Sequence, residues 1–129
     1  MSAVELLLVA VGGGVGAALR FALDGVAKGR VARTRLRVFP VGTLVINVTG
    51  SLVLGFVTGV GEAGALPLPV VAVLGTGMMG GYTTFSTASV ETVQLLRSGT
   101  TRLAVLNGLG MLVVSVGAAA LGLWLGRNT

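Results

Sequence analysis

The side chains able to do chemistry in this sequence are few, and they lie inside apolar stretches. Asn47, with Thr43 and Ser51 four residues to either side, forms a polar stripe, because a spacing of four returns to the same face of a helix. Asn107 and Ser115 also share a face, with Met111 between them. The segment Gly80-Gly81-Tyr82-Thr83-Thr84-Phe85-Ser86-Thr87 places two glycines before a run of hydroxyl side chains. Backbone carbonyls and helix ends freed at such a segment can coordinate ions. The absent residue types narrow the chemistry further. There is no His and no Cys, which excludes imidazole acid–base catalysis, thiolate nucleophiles, disulfides and the commonest metal ligands. No Asp, Glu or Lys sits at the centre of an apolar stretch. A proton-coupled exchanger needs a titratable group in its pathway, whereas a channel requires only weak coordination at successive sites. The same polar groups have a second reading, as interhelical hydrogen bonds worth about 1 kcal/mol each.

The elements that position these residues follow from composition. Of 129 residues 53% are apolar and 10% charged, with a mean hydropathy of +0.97; a soluble domain carries about a quarter charged residues. The chain reads as an integral membrane protein of one domain over residues 1–129. A helix needs about 20 mostly apolar residues to cross the hydrocarbon core, and four stretches qualify: 4–23, 38–60, 68–96 and 103–125. Runs such as Leu6-Leu7-Leu8-Val9-Ala10-Val11 do not alternate, which excludes barrel strands. Glu5 and the three later apolar stretches argue against a cleaved signal peptide. The third stretch would be about 43 Å long as a helix, well beyond a ~30 Å core. Its centre is the Gly80–Thr87 segment, the poorest helix former in the chain, so the third helix is expected to be broken there. Irregular backbone at membrane depth survives where protein buries it or it lines a polar cavity. The 22 glycines include the GxxxG pairs Gly12/Gly16, Gly55/Gly59, Gly77/Gly81 and Gly122/Gly126, which suggest close helix packing. Four short helices enclose little interior, so a solute pathway calls for an oligomer.

Charge sets the expected orientation. Lys28, Arg30, Arg33, Arg35 and Arg37 crowd the first connection, and Arg20, Arg97 and Arg102 fall on the same side; only Arg127 lies opposite. The positive-inside rule then puts the basic connections in the cytoplasm and both termini outside. Nucleic acid is not an expected partner, since no aromatic is interleaved among the basic residues. Asn47-Val48-Thr49 matches a glycosylation sequon, but inside a span it is out of reach.

Three segments carry a resemblance to a known family. Gly12-Gly13-Gly14-Val15-Gly16-Ala17-Ala18-Leu19-Arg20, Gly42-Thr43-Leu44-Val45-Ile46-Asn47-Val48-Thr49-Gly50-Ser51 and Gly80-Gly81-Tyr82-Thr83-Thr84-Phe85-Ser86-Thr87 resemble the motifs of the small bacterial fluoride channels called Fluc or CrcB. The resemblance implies an all-α inner-membrane protein of four helices with a broken third helix. It also implies an antiparallel, dual-topology-type dimer with two fluoride pathways, acting as a passive fluoride exporter rather than an enzyme. A structural sodium ion at the dimer centre would be held by the backbone carbonyls of Gly80 and Thr83. Asn47 matches the pore asparagine, Arg20 the first-helix arginine, Phe85 the first of two pore phenylalanines, and Ser86 and Thr87 the hydroxyl residues beside the path. Glu91 lies where the family often has a vestibule acid. From its place on the fourth span, Ser115 joins these as a pathway candidate. The expected partners are fluoride, sodium, membrane lipid and a second subunit.

Two features depart from the pattern. The second pore phenylalanine is Ala88 here, and eight of the nine basic residues lie on one side, where dual insertion works with a near balance. Both fit a chain that pairs with an oppositely oriented paralogue rather than with itself. The rival readings are a small multidrug-type transporter, which would want an acid within the first span and more than six aromatics, and a non-conducting structural subunit of a heteromeric channel. Reporter tags on both termini are expected to label the outside in every molecule; half of the molecules inverted would refute the fixed orientation.

Overall fold

The computed structural model describes residues 2–31, 41–83 and 85–129, without the side chains at 28, 31 and 85–88. Among the described residues there are five helices and no strand: α1 (Ala3–Val31), α2 (Val41–Glu62), α3 (Leu68–Tyr82), α4 (Phe85–Arg97) and α5 (Thr101–Arg127). Stretches of α1 (Ala3–Ala27), α2 and α5 are each long and apolar enough to cross a membrane. α1 continues to Val31, so Lys28 and Arg30, expected in a loop, belong to a helix. Ala, Lys and Arg are good helix formers; Gly25 and Gly29 weaken this segment, but no proline in Asp24–Val31 ends the helix where its apolar part does.

Two turns are closed by one device. α2 ends with Gly64 at φ 81°, where Gly64 N–H donates to the Gly61 carbonyl and Ala65 N–H to the Val60 carbonyl, both at 3.1 Å. α4 ends with Gly99 at φ 84°, with matching bonds to Leu96 at 3.2 Å and Leu95 at 3.0 Å. These are Schellman caps, which need a left-handed residue that glycine supplies without strain. Pro67 and Pro69 then open α3, where a missing N–H costs nothing.

The four GxxxG pairs meet one another in two sets. α1 lies parallel to α3: a Cβ on Gly16 would stand 2.9 Å from the Tyr82 nitrogen, one on Gly77 2.7 Å from the Val9 carbonyl oxygen, and one on Gly81 2.9 Å from the Gly13 Cα. α2 lies parallel to α5: a Cβ on Gly122 would stand 2.8 Å from the Phe56 nitrogen, and one on Gly59 2.9 Å from the Arg127 nitrogen. Each pair of backbones touches with no room for a side chain. The Arg127 guanidinium meets the Glu62 carboxylate, Nε to Oε2 at 2.5 Å, so the C-terminus and the second connection share one end. At the other end Asp24 and Ala27 of α1 abut Gly42 at the start of α2.

α3 and α4 together make the broken third helix. α3 winds as a π-helix from Ala72 to Met79 and regains α geometry over Gly80–Tyr82. The helix does not yield at Gly80-Gly81, because Gly81 is held against Gly13. It yields at Thr83, which turns extended at ψ 156°. The Thr83 amide and hydroxyl both donate to the Met79 carbonyl, at 2.9 and 3.0 Å. A β-branched hydroxyl residue competes in this way with the helix it would otherwise extend. The small core of Ile46, Met79 and Tyr82 lies beside the break, while the outer faces of α1 and α5 are exposed and apolar, Phe21 at 84% among them. Gly122→Val is expected to lower the midpoint of thermal unfolding in detergent, an overpacking cost of about 1–3 kcal/mol or more. Gly25→Ala, where nothing lies within 4 Å, is expected to leave the midpoint unchanged or raise it.

Candidate functional site

A cavity of about 500 Å³ opens between α2, the break, α4 and α5. α2 contributes Asn47 and Ser51, the break Thr83, α4 Ser89 and Thr92, and α5 Asn107, Met111 and Ser115. The stripe at spacing four on α2 faces the stripe at spacing four on α5 because Gly55 and Gly59 have already locked those helices in parallel. Asn47 is 8% exposed and Asn107 1%. The Asn47 amide donates to the Met111 thioether at 3.1 Å, a weak acceptor. The Asn107 amide donates to the Thr92 hydroxyl at 2.7 Å and ties α5 to α4. The Ser115 hydroxyl is buried and makes no hydrogen bond among the described residues. A few amides and hydroxyls thus punctuate a cleft whose wall is mainly apolar, able to meet a small ion at separate points.

The other described candidates, Thr43, Arg20, Gly80 and Glu91, are not part of this cavity's lining. Thr43, 2% exposed, donates its hydroxyl to Glu91 Oε1 at 2.5 Å, joining α2 to α4 one turn from Asn47. Arg20 lies one turn beyond Gly16 on α1, at the level of the break and outside the cavity lining. Gly80 lies in the last turn of α3, and a Cβ there would meet nothing within 4 Å. The side chains of Phe85, Ser86, Thr87 and Ala88 lie outside the described residues; α4 begins at Phe85. Three contributors escaped the sequence reading. Ser89 and Thr92 stand three apart, a helical spacing visible after the break but submerged in the apolar run that follows Val90. Thr49, which the sequon match obscured, lies 2.9 Å from the Tyr82 hydroxyl.

The hydrogen bonds separate two kinds of polar residue. Asn107→Ala strips a buried partner from Thr92 and is expected to cost about 1–3 kcal/mol, read as a lower thermal midpoint in detergent. Ser115→Ala removes no described bond and is expected to leave that midpoint within about 0.5 kcal/mol of the parent.

Comparison with known proteins gives one consistent answer. A family described as "CrcB-like protein, Camphor Resistance (CrcB)" matches residues 7–123. A relative named Fluoride-specific ion channel FluC 1, from Leifsonia xyli subsp. xyli, is 51% identical over 126 residues, covering 98% of this chain and 89% of its own. The Fluoride-specific ion channel FluC of Parabacteroides distasonis is 38% identical over 97% of this chain and 94% of its own, and FluC 1 of Frankia casuarinae is 44% identical over 94% and 95%. With the match running through all five helices and the long apolar spans to go with it, this chain belongs to the CrcB family of multi-pass membrane proteins.

Proposed function

We propose that this chain is a fluoride-selective passive channel of the bacterial inner membrane. In this reading it exports fluoride from the cytoplasm as one subunit of an antiparallel dimer, with both termini outside. The observation that carries the reading is the cavity between α2, α4 and α5, bordered by amides and hydroxyls at the break in the third helix, in a chain whose relatives are named fluoride-specific channels. Fluoride is small and tightly hydrated, so a path for it needs donors that replace water without holding on. Asn47 suits that role: it is a buried amide on the cavity wall, with N–H donors able to stand in for water around an anion. α4 begins immediately beyond the break, and the first N–H groups of a helix lack intrahelical partners and carry its positive end. By the family resemblance Ser86 and Thr87 would supply hydroxyls and Phe85 the positive edge of a ring, with Ser115 a hydroxyl in the cavity and Arg20 a charge on α1. Glu91 orients Thr43 at the cavity's edge.

Sodium fits the break as a structural ion. The oxygens that a broken helix offers here are neutral backbone carbonyls, the donors that unwound helix ends give to sodium. The Thr83 amide bonds the Met79 carbonyl just before the chain turns extended, and the last carbonyls of a helix lack intrahelical donors. The open space beside Gly80 admits the same oxygens from a second subunit. Gly80 and Thr83 would hold the ion, which supplies a fixed positive charge at the centre of the dimer.

Ala88 and the one-sided basic residues favour a non-identical, oppositely oriented partner, and they keep a scaffold subunit as the second reading. The test is fluoride efflux from liposomes holding the purified chain, read with a fluoride electrode against chloride, first alone and then with the co-expressed paralogue. Fluoride-selective efflux is expected in the paired arm, and Asn47→Leu is expected to slow it about tenfold or more, the worth of one hydrogen bond to a charged group. A paired arm that conducts unchanged with Asn47→Leu and Phe85→Leu would make this chain the scaffold. Absence of fluoride efflux in both arms from folded protein would sink the channel reading.

A further inference from the structure

Tyr82 is the chain's only tyrosine and the last helical residue before the break. It is buried, in a cluster otherwise made of Ile46, Met79 and Met78. Its ring lies on the bare backbone of α2 at Gly50, where a Cβ would stand 2.9 Å from ring atom Cδ2 and 3.3 Å from Cε2. Its hydroxyl lies 2.9 Å from Thr49 Oγ1. The direction of that bond follows from the neighbours. The single hydroxyl proton of Thr49 points at the Val45 carbonyl at 2.7 Å, with Ile46 next at 3.2 Å. Thr49 therefore accepts, and Tyr82 donates. On the opposite side α1 closes on the Tyr82 nitrogen through Gly16.

This residue is gripped at ring, hydroxyl and backbone at once, one position before Thr83 turns extended. A phenylalanine would fill the same volume and bury the same apolar area. What the hydroxyl adds is a fixed height of α3 along α2, and with it the level at which the Gly80 and Thr83 carbonyls leave the helix. We infer that the Tyr82–Thr49 hydrogen bond is the positioning device that sets the register of the break, and through it the sodium affinity of those carbonyls. The inference rests on the sodium assignment proposed above, and Tyr82 itself touches no ion.

A sole tyrosine makes the test direct. Full-length chain carrying 3-fluorotyrosine, assembled with the unlabelled paralogue of the efflux assay, gives one ¹⁹F resonance, which is followed while sodium chloride replaces N-methylglucamine chloride at constant ionic strength. The parent resonance is expected to shift saturably with sodium. Thr49→Val removes the acceptor and is expected to raise the half-saturating sodium concentration about fivefold, and Thr49→Ser, which keeps the hydroxyl, is expected to restore it. Thr49→Val titrating like the parent overturns the inference and leaves the sodium reading standing. A parent resonance indifferent to sodium overturns both. Should Thr49→Val not fold, Tyr82→Phe decides by the rise in thermal midpoint that sodium confers: a smaller rise than the parent's supports the register role, and an equal rise overturns it.

Discussion

Where α2 crosses α5, a Cβ on Gly122 would strike the Leu52 carbonyl and one on Gly55 the Ala119 carbonyl; where α1 crosses α3, one on Gly16 would strike Met78. Backbone contact of this closeness is the constraint on which the rest of the molecule depends. In lipid no hydrophobic force draws one apolar helix to another, so packing and hydrogen bonding must hold the bundle. Glycine maximises the first, and its placement at spacing four allows one register for each helix pair. Helix packing elsewhere tolerates sliding by a turn; here a slide would drive side chains into carbonyls.

The polar groups follow from that register. With α2 and α5 locked in parallel, Asn47 arrives opposite Met111, and Asn107 beside Thr92. The bundle thus concentrates its amides and hydroxyls on one cleft and leaves its outer surface apolar. Division of labour within the cleft is visible in the partners. Asn107 bonds the Thr92 hydroxyl and secures α4, whereas Asn47 meets the Met111 sulfur across the α2–α5 seam.

The break obeys the same economy. A helix interrupted at membrane depth strands carbonyls on one side and amides on the other, and each is costly unless protein or an ion meets it. Thr83 absorbs part of this by turning both its amide and its hydroxyl onto Met79. Tyr82, held between Gly16 and Gly50, keeps the interruption at one level. The π turns over Ala72–Met79 lie just before it, against the same stretch of α1.

Much of this was legible in the residues alone. Hydropathy and length determined that the chain crosses a membrane as helices, because about 20 apolar residues without alternation have no other stable form in lipid. The length of the third stretch and its glycine–threonine centre marked a break, and the spacing of Asn47 with Ser51, and of Asn107 with Ser115, marked shared faces. Which glycine meets which, and hence which polar stripe faces which, only the tertiary structure decided, since periodicity names a face but not its partner. The same limit explains Gly80-Gly81 and Thr49. By propensity the glycines should yield first, yet Gly81 is pinned by Gly13 and the helix gives way at Thr83. Thr49 looked idle in sequence because its partner stands 33 residues away on another helix, a separation that local pattern does not register and that packing alone closes.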